Sequence, residues 1–197
     1  PRSQAKEPWP RASGHELSDG WGTVRISSAL LGLLRPLSLR SAVLSDEALL
    51  LHWANDPQVR SNSGSSEMIH SSTHRRWFQS GLADPNRLLL IACDAQGCPI
   101  GQIRFDRQPT PESEGSYEVL VGLSLDRCSR GQGLSSELVK LGLQSAELLW
   151  GPAIVVVAEI FSSNTSSQAT FATAGFVMDE NIRAISSPHR VLRRWCW

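Results

Sequence analysis

The sequence predicts an α/β sandwich around a largely antiparallel sheet, and three observations carry that expectation. Segments of strand period and helix period alternate from Leu37 onward. Leu88–Cys93 and Pro99–Asp106 flank the turn Asp94-Ala95-Gln96-Gly97 as the arms of a hairpin, and Ile154–Phe161 is a nearly unbroken apolar run of the kind a doubly covered strand shows. The chain has 197 residues, 41% hydrophobic and 19% charged, enough for one core of about 150 residues with an appendage.

That appendage is residues 1–34. Its first twenty residues carry Pro, Ser, Gly and charge without an apolar period and read as a loop or disordered leader, whereas Val24, Ile26, Ala29, Leu30, Leu33 and Leu34 suggest a short helix ending before Arg35-Pro36. The domain proper, residues 35–197, opens with a strand in which Leu37, Leu39 and Ser41 alternate with Ser38, Arg40 and Ala42. Ser45 offers an N-cap to a helix with Asp46 and Glu47 in its first turn, closed at Asn55-Asp56-Pro57. A serine-rich loop and a second helix over Thr73–Leu82 follow, the latter carrying Trp77, Phe78 and Leu82 towards a core and stopping at Asp84-Pro85-Asn86.

After the hairpin, residues 107–115 form a Pro/Glu/Ser/Gly loop and Tyr117–Leu125 a fourth strand. A helix then begins beyond Arg130-Gly131-Gln132-Gly133, with Leu134, Leu138, Leu141 and Leu148 on one face. Past the fifth strand, Ile154–Phe161, Asn164 opens another helix that Gly175 stops, and Phe176–Met178 and Val191–Trp195 supply the last strands around a loop at Ser187-Pro188.

Composition excludes several classes of partner. Nineteen Lys and Arg balance nineteen Asp and Glu, so no whole-molecule field draws the chain to nucleic acid or an anionic membrane. The longest apolar runs fall short of the ~20 residues of a spanning helix, and Pro1-Arg2-Ser3-Gln4 has no signal-peptide layout. The four cysteines form no CxxC pair and read as reduced thiols of a cytoplasmic protein; His70 and His74 have helical spacing but no third ligand, so no metal is expected.

The most informative stretch is Leu123-Ser124-Leu125-Asp126-Arg127-Cys128-Ser129-Arg130-Gly131-Gln132-Gly133-Leu134-Ser135, a strand entering a glycine turn and then a helix. Unpaired backbone N–H groups at such a helix start suit a pyrophosphate. The stretch is neither a Walker loop nor a dinucleotide fingerprint, and composition alone leaves an ordinary strand-to-helix turn open.

Taken with Asn164-Thr165-Ser166-Ser167 and Phe171-Ala172-Thr173-Ala174-Gly175-Phe176 downstream, it resembles the GNAT superfamily of acetyl-CoA-dependent acyltransferases. Arg130-x-x-Gly133-x-Ser135 matches the family's Arg/Gln-x-x-Gly-x-Gly/Ala loop, with serine in place of Gly/Ala. The resemblance implies a mixed, largely antiparallel twisted sheet with helices on both faces and a splay between the fourth and fifth strands. It also implies acetyl-CoA as co-substrate. The backbone of Leu123 and Leu125 would hold the pantetheine arm; the amides of Arg130, Gly131, Gln132, Gly133, Leu134 and Ser135 the pyrophosphate; and Asn164, with Ser167 and Phe171, would approach from the opposite side.

Two further resemblances concern the acceptor. Arg40-Ser41-Ala42, Trp53–Arg60, Ile69, His74, Trp77-Phe78 and Gly101–Asp106 are similar to the nucleotide-aminosugar N-acetyltransferases of pseudaminic acid biosynthesis, which acetylate the 4-amino group of a UDP-linked 4-amino-4,6-dideoxy sugar. Asp19-Gly20-Trp21-Gly22-Thr23-Val24-Arg25-Ile26 resembles the tail of the UDP-sugar hydrolase acting one step later, which implies either a linker, a fused remnant or association with such a hydrolase. The substrate-binding candidates are Arg60, whose guanidinium can fork phosphate oxygens, His74, which aligns with a nucleotide-contacting histidine, Arg104, and Trp53, which like Trp77 and Phe78 also reads as core. The oligomeric state is left open between monomer and homodimer.

Direct transfer requires an unprotonated amine, a polarised carbonyl and a stabilised thiolate. Glu159 is the first candidate base, because it interrupts an apolar strand and aligns with the base proposed for relatives, and Glu118 is the second; a base of this kind is expected to be partly removed from solvent. The N–H of Leu125 or its neighbour would polarise the carbonyl. Phe171 stands where many superfamily members carry a proton-donating tyrosine, so water, Asn164 or Ser167 must assist the thiolate, or it leaves unprotonated. Acceptors other than a nucleotide sugar, and a non-catalytic acyl-CoA-binding role, remain as alternatives.

Overall fold

The structure is a computed structural model and describes residues 37–63, 65–109, 117–151, 154–178 and, as backbone only, 189–195. The helix expected before Arg35 and the loop at Ser187-Pro188 lie outside the described residues. The elements are β1 (Ser38–Ser41), α1 (Glu47–Ala54), α2 (Pro57–Ser61), α3 (Ser71–Leu82), β2 (Arg87–Cys93), β3 (Pro99–Pro109), β4 (Tyr117–Leu125), α4 (Leu134–Trp150), β5 (Val155–Phe161), α5 (Thr165–Thr173), β6 (Val177–Met178) and β7 (His189–Trp195). The strands form one sheet in the order β1-β2-β3-β4-β5-β7-β6. Every neighbouring pair is antiparallel except β4 and β5, which run parallel across the α4 crossover.

Alternation along the strands sends side chains to two cores. Leu90, Ile103, Phe105, Val119 and Val156 meet Leu138, Val139 and Leu143 of α4 and Phe171 of α5 on one face. On the other, Leu89 and Ile91 meet Leu50 and Trp53 of α1 and Phe78 of α3. The α1 and α3 layer covers the β1–β2 side, so the polar row of β3 and β4 on that face stays partly open to solvent.

Three local expectations change. Ser45 is not an N-cap: Leu44–Asp46 is a 3-10 turn, and the Asp46 carboxylate takes the capping role by accepting from the Val43 N–H at 2.8 Å while bridging Arg40. Leu148 does not join the apolar face of α4; it is 88% exposed, and Val139, Gly142 and Ala146 complete that face instead. The chain also re-enters helix directly after α1, because the Asp56 carboxylate caps the N–H groups of Gln58 and Val59 with Pro57 at the first helical position.

Candidate active site

The register locates a gap in the sheet. β4 and β5 pair only at Glu118–Val155, Val119–Val156 and Leu120–Val157, although β4 continues to Leu125 and β5 to Phe161. On its other side β4 stays paired with β3 as far as Gly101–Leu125, and the Asp126 N–H donates to the Ile100 carbonyl at 2.8 Å. Antiparallel ladders bond alternate residues. Asp126, Ser124 and Gly122 therefore spend their main-chain groups on β3, and those of Leu123 and Leu125 face the gap.

Where β4 ends, the chain makes a 3-10 turn at Arg127–Ser129 and then a glycine turn. Gly131 and Gly133 adopt φ of +72° and +76°, and Gly133 is the N-cap of α4, so four helix-start N–H groups open onto this loop. Among the described residues the N–H groups of Gly131 and Gly133 donate to no protein acceptor. A Cβ built at either glycine meets nothing within 4 Å, so a ligand has room to approach the backbone. These amides and the positive end of the helix suit a diphosphate.

The loop is braced from the N-terminal helices. Asp126 accepts from the Cys128 N–H and from Trp53 Nε1 at 2.9 Å, and both bonds hold its carboxyl below the ordinary aspartate range. Arg130 is spent on the fold: its Nε donates to the Leu125 carbonyl at 3.0 Å and its Nη1 to Asp56 at 2.9 Å and Gln58 at 3.0 Å, leaving the buried Nη2 without a partner. For Asp56, burial acts to raise the carboxyl, but Arg130 and the helix amides outweigh it and the group is lowered. A cleft of about 550 Å³ lined by Leu51, His52, Met68, Arg127 and Arg130 opens beside this brace.

The carboxylates lie on the open face. Continuing the Leu120–Val157 pairing by two residues sets Gly122 against Glu159, and β3 pairs Arg104 with Gly122, so Arg104, Gly122 and Glu159 share one row on one face with the gap between the last two. Glu159 is exposed rather than partly removed from solvent, although Val157, two residues earlier on the same face of β5, is buried. Glu118 lies on the same face, four residues earlier than Gly122, within the paired part of β4. Asn164 caps α5, its Oδ1 accepting from the Ser167 N–H at 3.1 Å. Phe171 packs edge-on against Phe176 inside the core and is buried.

The substrate-binding candidates divide. His74 is 3% exposed, stacks on Phe78 and tilts against Trp77, so it presents no edge to a nucleotide; positions 74, 78 and 81 form the buried stripe of α3. Trp53, 2% exposed, is core with a hydrogen-bonded tip. Arg60 folds onto its own loop, donating to the Ser65 carbonyl at 2.7 Å. Arg104 alone of the four reaches the open face. Sequence reasoning missed the bracing residues Asp56, Gln58 and Asp126; Asp56-Pro57 is a cap signal, but nothing local reveals a partner 74 residues away.

Among solved structures, a domain from Methanocaldococcus jannaschii is similar with a TM-score of 0.65 at 16% identity, covering 81% of this chain and 98% of that one. Spermidine N-acetyltransferase from Vibrio cholerae in complex with CoA and spermine gives a TM-score of 0.65 at 14% identity over 80% and 92% of the two chains. The aminoglycoside acetyltransferase AAC(6')-Ib in complex with coenzyme A and kanamycin gives 0.64 at 18% identity over 81% and 95%. No curated protein matches the sequence. At these identities the likeness establishes the shared fold, including the parallel β4–β5 pair. The family model described as an acetyltransferase (GNAT) domain matches residues 36–177, and the chain belongs to that family of acetyl-CoA-dependent N-acetyltransferases.

Proposed function

We propose that this N-acetyltransferase transfers the acetyl group of acetyl-CoA to the amino group of a nucleotide-linked aminosugar of the UDP-4-amino-4,6-dideoxyhexose type. The observation that carries the transferase reading is the parting of β4 from β5 after Leu120–Val157 beside a loop whose Gly131 and Gly133 amides are unspent. The sugar reading rests on the sequence resemblance spanning Arg40 to Asp106. Residues 1–34 are read, on the same ground, as a linker or the tail of a fused hydrolase.

Acetyl-CoA, when bound, supplies an acetyl thioester. The loop amides from Arg130 to Ser135 hold its diphosphate, and the main chain of Leu123 and Leu125 lines its arm. The acceptor enters over Gly122, where a built Cβ meets only Arg104 Nη2, at 3.8 Å. Its amine attacks the carbonyl carbon, a C–N bond forms, and the C–S bond breaks. The amine proton passes to Glu159, directly or through water that its exposure admits, with Glu118 second in line. The Leu125 N–H stabilises charge on the carbonyl oxygen. With Phe171 in the core, the thiolate leaves unprotonated or takes a proton from water, a tolerable departure for a thiol of pKa about 8.5.

A second reading keeps the chemistry and changes the acceptor. The burial of His74 removes one expected nucleotide contact, which favours a different amine, either a small molecule or a protein N-terminus. Acetyl-CoA consumption with a UDP-4-amino-4,6-dideoxyhexose against a panel of sugar-free amines separates the two. Turnover confined to the panel overturns the sugar assignment, and turnover with neither overturns the enzyme.

A further inference from the structure

Arg104 is held in an unusual electrostatic setting on the open face. Asp106 is shared by two guanidinium groups: Arg87 Nε donates to its Oδ1, and Arg104 Nε lies 2.6 Å from its Oδ2. The second contact is close in distance but lies off the N–H axis, so Arg104 Nε makes no hydrogen bond. Both guanidinium groups also lie over the Trp77 ring, at 5.2 and 5.4 Å from its centroid. Two cations against one carboxylate leave one positive charge in excess, fixed by an ion pair on one side and an aromatic ring on the other.

That charge points at the place of reaction. The Arg104 side chain is 35% exposed, and its Nη2 is the nearest atom, at 3.8 Å, to a Cβ built on Gly122. Gly122 is the second β4 residue beyond the last pair with β5, and across the gap its row is completed by Glu159. The missing side chain at Gly122 thus leaves a trough with a guanidinium on one wall and a carboxylate on the other, spanning more than the ~10 Å of two paired-strand spacings because β4 and β5 have parted there. Long side chains from both walls shorten that span to the length of a small dipolar molecule.

We infer that Arg104 selects the acceptor by binding an oxyanion that it carries a few bonds from its reactive amine, so that amine and anion lie towards Glu159 and Arg104 respectively. The inference rests on the transferase reading for the position of the amine. It disfavours polycations, which would set an ammonium against the excess positive charge of the Arg87–Asp106–Arg104 group. A phosphate and a carboxylate satisfy the same fork.

The test compares paired amines that differ only in the anion, using the full chain. Glucosamine 6-phosphate is set against glucosamine for the phosphate arm, and an α-amino acid against its methyl ester for the carboxylate arm, with spermidine as the polycation. The anionic member of at least one pair is expected to show the higher kcat/KM. In Arg104→Gln the ratio within that pair falls about 10- to 100-fold, the range of a charged hydrogen bond, while Arg104→Lys recovers part of it and the acetyl-CoA Kd stays put in both. Gly122→Val, which fills the trough, raises the acceptor KM with the arginine intact. Equal use of both members of each pair, or preference for spermidine, overturns the inference. Should no amine turn over, the transferase reading fails by itself, and calorimetric titration of the same pairs into the CoA-saturated protein still decides: selective binding of the anionic member that Arg104→Gln abolishes supports it, and indifference sinks it.

Discussion

His74, a candidate nucleotide contact in the sequence, lies buried on α3. The sequence pattern sends Trp77, Phe78 and Leu82 towards the core, whereas the structure buries His74, Phe78 and Gly81. Neither ring nitrogen has a hydrogen-bond partner, and burial lowers the imidazole below its ordinary 6.5, only partly offset by Glu47. The folded chain therefore resists a proton that the unfolded chain accepts. Stability should be complete above about pH 6.5 and fall as the pH drops below it, by up to about 1.4 kcal/mol per pH unit for this one group. His74→Leu should flatten that part of a urea-midpoint series taken from pH 8 to 5. Asp46, Asp56 and Asp126, all lowered by their partners, contribute stability that is retained until more acidic pH and lost below about 4. At the gap, Glu159→Gln should cut turnover by about 10²–10⁴-fold with acetyl-CoA affinity unchanged; stopped assays paired with calorimetry read both.

At the scale of elements, strands and long helices were legible because their periods are strong, and short pieces were not. α2 is one turn and a half, too brief for a period, and only its cap betrays it. The 3-10 turn before α1 displaced the expected cap because Asp46 had two partners, Arg40 and the Val43 amide, that no helix pattern encodes. Gly142 belongs to the same class of information. A Cβ there would lie 2.8 Å from Ile103 Cδ1 and 3.0 Å from Phe105, both fully buried, so the glycine sets how closely α4 lies on the sheet. Gly142→Val should cost roughly 1–3 kcal/mol by overpacking, measured as a shift of the denaturant midpoint at constant slope. Gly133→Val, by contrast, forces a β-branched residue into positive φ and should raise the KM for acetyl-CoA at least about tenfold.

For the molecule as a whole, the alternation of strand and helix periods anticipated the sheet, and the parting of its fourth and fifth strands was implied by the family resemblance that two ordered motifs carry. The acceptor was less legible, because Arg104, Gly122 and Glu159 come together only through the register of three strands. None of the described helices is long and apolar enough to cross a membrane. On the proposed placement of acetyl-CoA at the native loop and gap, the ligand should stabilise the fold by linkage, about 2.7 kcal/mol at a hundredfold excess over its Kd, and raise the melting temperature in a concentration-dependent way. A melting curve indifferent to the ligand would contradict the site. The tie from Asp56 to Arg130, with Trp53 reaching Asp126 beside it, joins positions more than seventy residues apart. Closure over such a distance is slower than local pairing, so the proposed grip on the acyl donor should appear after the helices and hairpin that the tie joins, and ligand capture can report that step of folding.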